Sequence, residues 1–115
     1  MINFPLATRP CEYIAFFMFK VPTGAGTGHV FSAVDAFSEF VFMLGVENDS
    51  NPETVLTNIE MLLEHKDFSP ALVKEQGFTI VLDSFADLLP SIQAIISPYK
   101  GKVIINKPFS EQIAK

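Results

Sequence analysis

Val30-Phe31-Ser32-Ala33-Val34-Asp35-Ala36-Phe37-Ser38-Glu39-Phe40-Val41-Phe42 is the stretch from which the rest of the chain is read. Two apolar, β-favouring runs flank a polar centre, Asp35 to Glu39, short enough to be the turn of a hairpin. An apolar run from Tyr13 to Val21 precedes it. A helix-patterned segment, Asn51 to Lys66, follows, and then a strand, Phe78 to Leu82, that ends on Asp83. The continuous run Tyr13–Phe19 suits a strand covered on both faces, hence a central one.

The 115 residues suit a single domain, spanning 1–115, with residues 1–11 an extended lead-in because of Pro5 and Pro10. The chain is 49% hydrophobic with 12 Phe and no Trp, enough apolar material for a core and against disorder. A net charge of −5 argues against a broad electrostatic grip on a phosphate backbone and leaves room only for a local basic patch. The single cysteine, Cys11, excludes an internal disulfide and a multi-cysteine zinc site. Met1–Pro5 lacks the features of a signal peptide, and the run ending at Lys20 is far short of the ~20 residues that span a bilayer. The expectation is a soluble, cytoplasmic protein without a membrane segment.

Pro22-Thr23-Gly24-Ala25-Gly26-Thr27-Gly28 connects the first two strands. A phosphate-cradling loop needs a helix N-terminus after its glycines, whereas Gly28 is followed by His29 and a β-patterned run, so the segment reads as a hairpin turn. Ser50 and Glu53 have capping-box spacing, with Pro52 in the first turn. Val55, Leu56, Ile59, Leu62 and Leu63 then form one apolar stripe, with His65 and Lys66 at the end where cations are favoured. Ala71 to Gln76 reads as one further turn. Leu88 to Ser97 reads as a second helix, Lys102 to Asn106 as a last strand, and Pro108 to Lys115 as the start of a further helix.

Strand, strand, strand, helix, strand, helix, strand is the order of a ribonuclease H-like α/β domain. Val34-Asp35-Ala36-Phe37-Ser38-Glu39-Phe40-Val41 resembles the second-strand hairpin of retroviral-type integrases and insertion-sequence transposases. Thr79-Ile80-Val81-Leu82-Asp83-Ser84-Phe85 resembles that family's strand ending in Thr-Asp-Asn-Gly. The resemblance covers roughly residues 10 to 115. It implies a mixed five-stranded sheet, with three N-terminal antiparallel strands and then helix-strand-helix-strand, flanked by helices.

The family's chemistry uses three carboxylates that hold two divalent metals about 4 Å apart. Hard cations such as Mg²⁺ require oxygen ligands. By resemblance the second carboxylate is Asp83. The first belongs near Phe17, and no acid occurs between Glu12 and Asp35. Glu111 is the acid nearest the third position and comes early for it. Ser84-Phe85 also replaces the Asn-Gly that follows the second carboxylate.

The expectation is therefore a degenerate integrase- or transposase-core-like domain, catalytically inactive, with Asp83 as a vestigial site residue. It would act as an assembly or interaction module related to DNA integration, or be a mobile-element remnant, and resemblance implies a homodimer. Two alternatives stand beside it. One is an active metal-dependent polynucleotidyl transferase or nuclease built on Asp35, Asp83 and Glu111, with Mg or Mn as cofactor; otherwise no cofactor is expected. The other is a non-catalytic nucleic-acid binder using Lys100, Lys102, Lys107 and Lys115, half of the chain's Lys and Arg. Asp35 suits a turn cap, hydrogen-bonding local amides, better than a metal ligand. Asp83 can likewise cap the turn after its strand. His29 and His65 have no partners at metal spacing and read as surface or turn histidines. Cys11 has no neighbour to activate it as a nucleophile.

Overall fold

The computed structural model describes residues 11–24, 26–65, 68 and 77–105. Three antiparallel strands come first: β1 (Tyr13–Thr23), β2 (Gly26–Asp35) and β3 (Val41–Glu47). Helix α1 (Pro52–Glu64), strand β4 (Phe78–Leu82), helix α2 (Leu89–Ile96) and strand β5 (Gly101–Ile105) follow. One 3₁₀ turn leads into α2 (Ala86–Leu88) and another leaves it (Ser97–Tyr99). The sheet order is β3-β2-β1-β4-β5, with β1 antiparallel to β2 and parallel to β4, and β4 parallel to β5. This is the mixed five-stranded α/β sheet that the element order implied, with the Phe-rich first strand at its centre.

Strand alternation divides the side chains between two faces. On one face Ile14 and Phe16 of β1, Phe31 and Ala33 of β2, Phe42 of β3, and Ile80 and Leu82 of β4 are buried. They pack with Val55, Ile59 and Leu62 of α1 and Ile92 and Ile96 of α2 into one core. Aromatic edges knit this core together: Phe42 meets Phe68 at 5.8 Å and Phe68 meets Phe78 at 5.2 Å between ring centroids, both near T-shaped. The opposite face carries Ala15, Phe17 and Phe19 of β1, Ser32 and Val34 of β2, and Val41 and Met43 of β3, in matching register. Phe19, Val41 and Met43 are exposed there, so β1 is covered on both faces only over its first part.

Helix α1 begins later than its capping-box spacing indicates. Asn51, not Ser50, occupies the N-cap, with φ −63° and ψ 157° and no side-chain cap bond. The residue before a proline is driven out of the α region, so Pro52 forces Asn51 to be extended and the helix to start after it. Asp49 supplies the side-chain acceptor, bonding the Asn51 N–H and the Thr54 hydroxyl. The helix ends at Glu64, and His65 caps it through its N–H to the Leu62 carbonyl, its ring against Phe42.

The first hairpin is also tighter than the glycine-rich segment suggests. The strands pair as far as Thr23 and Gly26, so Pro22 and Thr27 belong to the ladder. His29 consequently lies inside β2, half-buried between Lys20 and Glu47, and not in a turn. Its Nδ1 is buried without a hydrogen-bond partner among the described residues. The expected turn at Ala71–Gln76 and helix at Pro108–Lys115 lie outside the described residues. No helix among those described is long and apolar enough to cross a membrane.

Candidate functional site

Asp83 leaves the C-terminal end of β4. In the parallel β1–β4 ladder Phe16 lies beside Leu82, so one residue further Phe17 comes beside Asp83 on the face away from the helices. On the other side of Phe17 in the same row stands Ser32 of β2. Phe17, Met18, Phe19, Ser32, Val34 and Asp83 enclose a shallow pocket of about 330 Å³. Among the described residues its one charged lining residue is Asp83, half-buried, whose Oδ1 accepts from the neighbouring Ser84 hydroxyl at 3.2 Å. Phe85, just beyond, takes the left-handed conformation at φ 66° and turns the chain into α2.

Asp35 is placed quite differently. It pairs with Ile14 at the beginning of β1, on the face toward the helices, and only 2% of its surface is exposed. Its Oδ1 accepts from the Cys11 N–H at 3.0 Å and the Phe37 N–H at 3.1 Å, and its Oδ2 accepts from the Ser38 hydroxyl at 2.7 Å. The carboxylate thus ties the backbone at Cys11, just before β1, to the β2–β3 turn. Its own backbone closes that turn, donating to the Phe40 carbonyl and accepting from the Glu39 N–H, with Glu39 left-handed at φ 64°. From Asp35 to Asp83 is two strand spacings across and three residues along, roughly 14 Å, on opposite faces. The fold does not bring these two acids together.

Glu111, Lys107 and Lys115 lie outside the described residues. Lys100 and Lys102 are exposed on either side of Gly101 and border a separate pocket that Glu12 also lines. Among the described residues no three His, Cys, Asp or Glu side chains gather as a metal-binding group. Among the described residues the oxygen-bearing side chains around Asp83 are its own carboxylate and the Ser32 and Ser84 hydroxyls, beside apolar walls, a set that does not fit a pair of Mg²⁺ ions.

The residue pattern also hides a polar link between sheet and helix. Asn58 of α1 is fully buried; its Oδ1 accepts from the Gly45 N–H at 2.7 Å, and its Nδ2 donates to Glu47 Oε2 at 3.1 Å and to the Thr54 carbonyl at 2.9 Å. A Cβ on residue 45 would come within 2.7 Å of that Oδ1, so Gly45 is what lets the amide approach the edge strand. An asparagine at a buried position of the α1 stripe was the available signal.

The sheet order, the parallel β1–β4–β5 half and the helices on the sheet define the fold of a retroviral integrase catalytic core, the ribonuclease H-like α/β fold. A chain of the simian T-cell lymphotropic virus intasome, solved in complex with the PP2A regulatory subunit B56 gamma, superposes with a TM-score of 0.73 at 12% identity, over 99% of this chain and 38% of that one. The HTLV-2 integrase catalytic core domain in complex with magnesium is similar in its dimeric form, with a TM-score of 0.61 at 13% identity, over 91% of this chain and 67% of that one. Its trimeric form gives 0.62 at 13% identity, over 93% and 67%. No protein-family model matches the sequence, and no curated protein matches it.

Proposed function

We propose that this chain is a degenerate integrase-core-like domain, related to the proteins of DNA integration and transposition, that keeps the fold without the two-metal chemistry and serves as an assembly or interaction module. The observation that carries this reading is Phe17. The resemblance puts the first catalytic carboxylate near that position, beside Asp83, and an aromatic ring stands there in its place. A ring has no lone pair for a hard cation, and a lone carboxylate holds Mg²⁺ poorly because the ion gives up its waters reluctantly. Asp83 is then a vestige of the site; its side chain bonds the Ser84 hydroxyl, and the cap of the turn after β4 that its position suggested is not made among the described residues.

Assembly as a homodimer draws support from the dimeric form of the HTLV-2 core and from apolar side chains left exposed on the helical side, Met61 of α1 and Tyr99 after α2. For DNA contact the described chain offers Lys100 and Lys102, with Glu12 close by, which makes a weak electrostatic footprint.

The test is thermal unfolding across a Mg²⁺ and Mn²⁺ titration to 10 mM, alongside a metal-dependent DNA cleavage and strand-transfer assay. The expected outcome is an unchanged Tm and no turnover. A metal-dependent rise in Tm that Asp83→Ala abolishes would overturn the proposal.

A further inference from the structure

The pocket beside Asp83 has a chemistry of its own. It is lined by Phe17, Met18, Phe19, Ser32 and Val34, and Asp83 is the one charged residue among the described residues that line it. Asp83 has no lysine, arginine or histidine paired with it among the described residues; its side-chain partner is the Ser84 hydroxyl. Phe19 is 49% exposed, so one wall of the pocket is an open aromatic surface. At about 330 Å³ the space lies at the small end of ordinary ligand pockets.

From this geometry we infer that the pocket is a binding site for a small organic cation, an ammonium or guanidinium carried on an apolar body. The inference rests on the reading of the site as one that has lost its metal chemistry. Three features select this ligand class. A carboxylate at the rim of a low-dielectric concavity attracts positive charge and forms a charge-assisted hydrogen bond with an N–H donor. The aromatic rings of Phe17 and Phe19, both lining the pocket, offer such a cation ring quadrupoles and its apolar body apolar contact. Apolar walls also discriminate against Mg²⁺, which must keep its water shell, and in favour of a weakly hydrated organic ion. The chain's net charge of −5 adds a long-range attraction of the same sign.

The probe is 2-phenylethylammonium, titrated into the ¹⁵N-labelled chain and followed by amide chemical shifts. Its neutral analogue 2-phenylethanol and its anionic analogue 3-phenylpropionate serve as controls. The expected result is saturable shifts centred on Phe17–Phe19, Ser32, Val34 and Asp83, with the alcohol binding about tenfold more weakly and the carboxylate more weakly still. Asp83→Asn should weaken the ammonium to the level of the alcohol. Phe19→Ala removes an exposed wall that the core does not need, and should weaken ammonium and alcohol together by several-fold. Absence of saturable shifts in the folded wild-type chain would overturn the inference. So would equal binding of ammonium and alcohol, or Asp83→Asn leaving the ammonium affinity unchanged. Mg²⁺ added to the same sample separates the two proposals: shifts centred on Asp83 with Mg²⁺ would overturn the silent-core reading, whereas failure of the ammonium alone would overturn only this one.

Discussion

Phe17→Asp puts back a carboxylate where the fold has an aromatic ring, and its consequences can be worked out before the experiment. Phe17 and Asp83 are neighbours on adjacent parallel strands, so the two carboxyl groups would stand about 5 Å apart. Phe17 is half-buried, and losing its ring contacts costs about 1–1.5 kcal/mol, half of what a fully buried Phe contributes. Repulsion between the two charges adds about 1–3 kcal/mol, for an effective dielectric between 80 and 20. The variant should therefore be about 2–4 kcal/mol less stable than wild type at neutral pH without metal. A pair of carboxylates is also a rudimentary divalent site. With a Kd on the order of 1 mM, 10 mM Mn²⁺ would restore about 1.4 kcal/mol, or about 5 °C in Tm for a domain of this size. Differential scanning fluorimetry with and without Mn²⁺, and with Asp83→Ala added to Phe17→Asp, is the assay. A metal-dependent rise should occur in Phe17→Asp alone, and not in wild type or in the double variant. A stable Phe17→Asp protein that ignores metal would refute the placement of residue 17 beside Asp83, and with it the account of what this site has lost.

Three further outcomes are expected. Asp35→Ala removes the acceptor of two backbone N–H groups and the Ser38 hydroxyl, and should cost about 2–4 kcal/mol in urea unfolding; a loss under 1 kcal/mol would contradict the buried network described for it. Asn58→Ala leaves the Gly45 N–H without its partner and should cost about 2–3 kcal/mol, with faster amide exchange at Gly45 as the local sign. The Asp49 carboxyl lies below its ordinary value because the Thr54 hydroxyl and then the Asn51 N–H bond its charged form, with a smaller contribution from His29. A lowered folded-state value contributes stability above the unfolded value, near pH 4, that fades as pH falls through the folded one. Wild type should therefore lose more Tm than Asp49→Asn between pH 5 and pH 2.5, and equal losses would contradict that bonding.

Much of the fold could be read along the chain because its causes are local. Alternation and apolar runs marked the strands, the Asp35–Glu39 segment marked the second hairpin, and the stripe from Val55 to Leu63 marked α1. Local chemistry also suggested what Asp35 does, since an aspartate at a turn has amides within reach. The misreadings arose where two local signals competed. Ser50 and Glu53 have capping-box spacing, but Pro52 dictates the conformation of Asn51, and the steric constraint wins. At Pro22–Gly28 the hairpin turn is where the sequence put it, but the whole segment read as connection, whereas pairing extends to Thr23 and Gly26 because the ladder satisfies backbone groups that an open loop would leave to water.

Among the described residues, the amino-acid order alone therefore located the strands and helices to within a few residues, and it carried the absence of an acid between Glu12 and Asp35, because both are properties of neighbouring residues. Only the tertiary structure decided which residues meet across the sheet. Asn58 finds Gly45 and Glu47 only when α1 lies on the edge strand. Phe17 and Asp83 become neighbours, and Asp35 is kept from Asp83, only once β4 pairs with β1 in this register. The physical reason is that register and face are set by burying one whole side of the sheet under two helices, a free energy that belongs to the assembled core and to no single segment.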